Sequence, residues 1–134
     1  MLLQGTDNIQ VILLQSTGLP TDTTLVNYPN LGAMLAVAAE ANFTNYARIN
    51  LSSSAISITY NTVSTPTKVT VGFSNQTWNS AGGALNNTIA KVVLSYQQTS
   101  STPDSGCLVL GTLDYSGSTT GGALNVTLGT LSDA

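Results

Sequence analysis

The sequence contains no histidine and one cysteine, and only 7% of its residues are Asp, Glu, Lys or Arg. Each shortage excludes something. Without histidine the usual general base near neutral pH and the commonest metal ligand are missing. Neither a Ser-His-Asp nor a Cys-His arrangement can be built, nor an ordinary zinc site. One cysteine excludes an intramolecular disulfide, and Cys107 lies in CLVLGTL, where a small buried hydrophobe is expected rather than a reactive thiol. The basic residues Arg48, Lys68 and Lys91 are scattered. No stripe of cations can neutralise consecutive phosphates and no polybasic patch faces a membrane, so neither nucleic acid nor membrane is an expected partner. The carboxylates Asp7, Asp22, Glu40, Asp104, Asp114 and Asp133 are too far apart in sequence to suggest a glycosidase pair or a calcium loop, although folding can bring distant ones together. No catalytic residue, cofactor or metal is expected, and the chain is read as not an enzyme.

Long apolar runs are also missing. MLLQGTDNIQ has no basic region followed by an apolar stretch, so no signal peptide is expected. LGAMLAVAAEA (residues 31–41) is too short to span a bilayer. A soluble product made in the cytoplasm is the expectation.

What is present is hydroxyl and amide. Thr, Ser and Asn number 20, 15 and 12 of the 134 residues, in place of the roughly 25% charge of an average domain. Mean hydropathy is +0.20 with 42% hydrophobic residues, the opposite of a disordered composition. So little charge leaves little to hold identical copies apart, which suits a surface covered by other copies or by a large partner. A low-charge extracellular β-domain has the same composition.

Periodicity indicates an all-β fold. Residues 8–15 (NIQVILLQ) read as a strand buried on both faces. Residues 17–30, with Pro20 and Pro29, have no period and read as an irregular arm. Residues 31–41 are the one helix candidate, with Asn30 able to cap it, although a strand is the alternative. From Tyr46 onward apolar and polar residues alternate through residues 46–51, at Ile56, Ile58 and Tyr60, at Val69, Val71 and Phe73, and over 123–131, while 89–98 and 107–115 read as fuller apolar strands. Period two with turns at short spacing predicts an antiparallel sandwich or jelly-roll-like barrel. Pro103-Asp104-Ser105-Gly106 has type I turn chemistry and is expected to join two strands as a hairpin, with residues 64–67 doing the same for another pair. The expected division is residues 1–30 as an N-terminal strand and extended arm and 31–134 as the β-sandwich domain.

GGALN occurs at residues 82–86 and again at 121–125. A P-loop needs Lys-Ser/Thr after the second glycine and a following helix, and neither copy has them. Paired glycines at a corner that feeds a strand are the better reading. Trp78, in SNQTWNSAGG, has two readings: a core plug between β segments, or, with Asn79, a platform on which a sugar ring stacks.

Residues 42–48 (NFTNYAR), and 78–91 (WNSAGGALNNTIAK) followed by VVLSY, resemble small virion structural proteins of tailed bacteriophages, of the kind found beside the major capsid protein. The resemblance covers roughly residues 40–115, with a weaker echo at GTDNI near the start. It implies a head decoration, or cement, protein: a homotrimer on the outer capsid surface of the virion, made in the host cytoplasm. Such proteins bridge neighbouring capsomers and have no catalytic residues to carry over. The major capsid protein and further copies of the chain are then the expected partners. In this reading the N-terminal strand or arm reaches a neighbour, with Ile12, Leu14, Leu25 and Tyr28 as candidate contacts. Its removal would leave the β-domain folded. The alternatives are a carbohydrate-binding or adhesion module of a fibre or tail using Trp78 and Asn79, a neck or tail subunit, and a filament subunit that exchanges its first strand.

Overall fold

A computed structural model describes residues 6–61 and 68–132. The strands are β1 (Asn8–Gln15), β2 (Ile49–Leu51), β3 (Ile56–Asn61), β4 (Lys68–Phe73), β5 (Gln76–Trp78), β6 (Thr88–Gln97), β7 (Leu108–Ser118), β8 (Leu124–Val126) and β9 (Thr130–Ser132). Two short helices, α1 (Asp22–Leu25) and α2 (Leu31–Leu35), follow β1. The fold is an all-β sandwich, and its sheets do not close into a barrel.

The first layer is an antiparallel sheet of order β2-β1-β6-β7. Its bounds for β1 match the sequence reading because NIQVILLQ has no polar face to leave wet. Ile9, Val11 and Leu13 enter one core with Phe43, Leu51, Trp78, Val92 and Leu94. Ile12 and Leu14 enter a second core on the other face, with Leu25, Leu31, Met34, Val93 and Cys107. Four side chains in succession, Val11 to Leu14, have no exposed area. Burying each contributes about 1.5–3 kcal/mol, together comparable with the net stability of a whole domain, about 5–15 kcal/mol.

That arithmetic corrects the expected arm. β1 lies inside its sheet, hydrogen-bonded on both sides, and is not a free reaching segment. Residues 17–30 are not a loose extension either, since they fold into α1 and insert Leu25 and the half-buried Tyr28 and Leu19 into the second core. The expected boundary at residue 30 has no counterpart in the packing. In α2, Asn30 accepts a hydrogen bond from Ala33 N at 2.8 Å, as its capping position predicts. The helix is shorter than the 31–41 pattern. Its continuation makes two more turn bonds to Met34 O and then bridges β1, with Leu14 opposite Glu40.

The second layer is one ladder with a break. β5 pairs with β8 and β4 with β9, and the register is continuous from Trp78↔Leu124 to Gly72↔Thr130. Across the gap Phe73 N still donates to Gly129 O at 3.1 Å. Gly129, at φ +69°, takes the left-handed conformation that ends β8 and starts β9, so the single expected strand over 123–131 becomes two. β3 extends this layer beyond β4, in unbroken register from Ile56↔Phe73 to Asn61↔Lys68. The turn expected at residues 64–67 lies outside the described residues. The other expected hairpin is present: Gly106 N donates to Pro103 O and Cys107 N to Asp104 O, and the chain passes from β6 to β7.

Candidate functional site

Three loops at one end of the sandwich interlock, and they contain most of residues 42–48 and the 79–87 part of the second stretch on which the family resemblance rests. In the NFTNYAR loop, Thr44 N donates to Leu85 O and Thr44 O accepts from Gly82 N, while Leu85 N donates to Thr44 Oγ1. Asn42 N donates to Asn87 Oδ1 and Asn42 Oδ1 accepts from Asn87 Nδ2, at 2.8 and 3.0 Å. Asn45, itself at φ +70°, donates through Nδ2 to Ser80 O. Trp78 Nε1 donates to Ala47 O at 2.7 Å.

The two GGALN copies face each other across this end. Ala81 N donates to Gly122 O and Gly121 N to Ala81 O. The third loop joins through Thr119, which donates from N to Asn87 O and accepts at Oγ1 from Asn87 N. Gly82, Gly83 and Gly121 have φ of +93°, +110° and +97°, so the glycines turn corners as their position before strands predicts. The copies lead into β6 and β8. Because the polar groups bond one another, the loops offer a neutral rim of exposed Asn45, Ser80, Leu85 and Asn86. Its chemistry is hydrogen bonding and apolar contact.

Charge is concentrated in two nodes, one around Arg48 and one around Lys91. Arg48 is held by both oxygens of Glu40 and both of Asp104, at 2.6–2.9 Å. Those hydrogen bonds, Glu40's foremost, raise the guanidinium pKa, and Arg48 in turn lowers that of Asp104. The Tyr46 hydroxyl donates to Glu40 Oε1 and accepts from Leu13 N. Burial, with the Glu40 charge beside it, pushes the phenol upward and keeps it neutral. The second node is Lys91, buried in β6, whose ammonium meets Asp114 of β7 and Asp22 of α1. Burial opposes its charge, but the two carboxylates outweigh burial and raise its pKa. Folding thus brings distant carboxylates together, but around cations that they ion-pair.

These nodes have no sequence signature, since eight residues separate Glu40 from Arg48 and 56 separate Arg48 from Asp104. The in–out alternation does place Tyr46 and Arg48 on one side, the only trace of the node in the sequence.

Ile12, Leu14 and Leu25 are fully buried within this chain and Tyr28 packs against them, so the four are core residues and not exposed partner contacts. Trp78 is 4% exposed, and its indole plugs the first core while bonding Ala47. Asn79 beside it is exposed, yet with the indole inside no sugar platform forms. Cys107 is buried, as expected, and burial raises its thiol pKa.

An open groove of about 370 Å³ sits at the break in the second layer, lined by Ser57, Ser74, Asn75, Thr127 and Thr130 over Phe73. Among the described residues no three potential metal ligands cluster, and no helix is long and apolar enough to cross a membrane. No protein-family model, curated protein or solved structure matches the chain.

Proposed function

We propose that this chain is a non-enzymatic virion structural protein that decorates and stabilises a phage capsid by bridging neighbouring capsomers. Its partners in this reading are the major capsid protein on the outer shell face and other copies of itself, assembled as a trimer. The observation that carries the reading is the interlock of residues 42–48 with 78–87. The two separated stretches behind the resemblance meet in one hydrogen-bonded structure. A second observation agrees with it. Arg48 and Lys91 are committed to internal ion pairs, which leaves mainly hydroxyls and amides, with a few carboxylates, to meet a large partner.

The adhesion alternative loses its named platform with the burial of Trp78. A neck or tail subunit is distinguished by number. Quantitative mass spectrometry of purified particles, read against the shell protein, is expected to give copies comparable with the shell subunit. A handful per particle would place the chain at the neck or tail, and its absence from particles would end the viral reading.

A further inference from the structure

Most strand edges in this molecule are short or interrupted. β2, β5, β8 and β9 have three residues each. β7 is long, but its pairing with β6 carries two register shifts, and Asp114 stands on it. Such bulges, charges and short lengths are how sheets avoid pairing edge to edge.

β3 has none of these protections. It is six residues long, its pairing with β4 has no shift, and among the described residues its outer edge pairs with nothing. No charged residue occurs between Arg48 and Lys68. One face of β3 carries hydroxyls, Ser57 and Thr59. The other carries Ile56, Ile58 and Tyr60, opposite Phe73, Val71 and Val69 of β4. Ile56 and Val71 pack against the first core, whereas Ile58 and Tyr60 run past it and are 39% and 65% exposed. The chain thus presents an open backbone edge beside an uncovered apolar stripe.

From this edge we infer that β3 pairs antiparallel with β3 of a second copy across a two-fold axis. The occupant is argued from charge. Two-fold pairing sets the edge against an identical edge, so a charged edge repels itself and an uncharged one does not. With Ile58 opposite Ile58 of the second copy, Ile56 meets Tyr60 and every apolar residue stays on one face. The sheet then runs from β9-β4-β3 through its mate without a break. Backbone hydrogen bonds supply the pairing, and burial of Ile58 and Tyr60 supplies the apolar term. The contact goes beyond the capsid reading and does not rest on it. Being two-fold, it joins copies in pairs and would link trimers rather than close one.

The test is sedimentation of the full chain as wild type, Ile58→Lys and Ile58→Glu, each alone and as an equimolar mixture of the two variants. The wild type is expected to sediment at twice the mass of either variant, and the mixture to recover the wild-type mass as Lys meets Glu across the axis. Tyr60→Lys, at a more exposed site, sets an ammonium against Ile56 of the second copy and removes the apolar contact there, so it should also halve the mass, with unchanged Trp78 emission reporting an intact fold. A wild type that does not pair would overturn the inference. So would folded variants that keep the wild-type mass, or a mixture that stays at half of it.

Discussion

At the scale of single residues, Trp78 and Arg48 show how one side chain closes several accounts at once. Trp78 fills the first core and satisfies Ala47 O, so Trp78→Ala removes both packing and a buried donor. It should cost about 3–5 kcal/mol in urea unfolding, and a variant as stable as the wild type would contradict the core-plug assignment. Arg48→Met leaves Glu40 and Asp104 facing each other without a cation. Since Arg48 is only partly buried, the loss should be about 1–3 kcal/mol at neutral pH, between surface and buried pairs. Its pH dependence has a definite sign. Asp104 has a lower pKa folded than unfolded, so its stabilisation is present above the unfolded value, about 4, and is lost as pH falls through the folded value. The gap between wild type and Arg48→Met, followed by thermal melts across an acid series, should therefore narrow below about pH 4.

At the scale of elements, corners and strands can be tested separately. Gly82 is at φ +93°, and a Cβ there would run into Asn86 and Thr119, so Gly82→Ala should destabilise by about 1–3 kcal/mol. Gly122, the second glycine of the other GGALN copy, has open space around it. Gly122→Ala should change stability by no more than about 0.5 kcal/mol in the same assay. Deleting residues 1–15 removes β1 from the middle of its sheet and strips both cores at once. The truncated chain should show no cooperative unfolding transition by circular dichroism. A sharp melt would restore the detachable arm.

The same elements show what the sequence makes legible. β1, the β6–β7 hairpin and the GGALN corners could be read because their causes are local: a two-sided apolar run, a Pro-Asp-Ser-Gly turn, paired glycines. The strand expected from Tyr46 begins only at Ile49, because Asn45 takes a left-handed conformation and residues 42–47 hydrogen-bond to other loops. The packing of residues 17–30 is not legible in the sequence because Leu25 and Tyr28 have no period of their own, and their burial depends on a sheet face formed elsewhere. The charge nodes were illegible for the same reason.

At the scale of the whole molecule, the sandwich has few charges, commits Arg48 and Lys91 to internal ion pairs, and meets its surroundings mainly through hydroxyls, amides and an uncharged β3 edge, with Asp22 and Asp114 among its few exposed charges. In the proposed capsid reading, attachment to a shell through such a surface gains little from long-range Coulomb attraction and loses little to salt. The most direct test is to add the purified chain to capsids stripped of it and measure bound copies per shell subunit as sodium chloride is raised. The account predicts saturable binding at a fixed ratio that hardly changes with salt. No binding, or binding that salt abolishes, would contradict it.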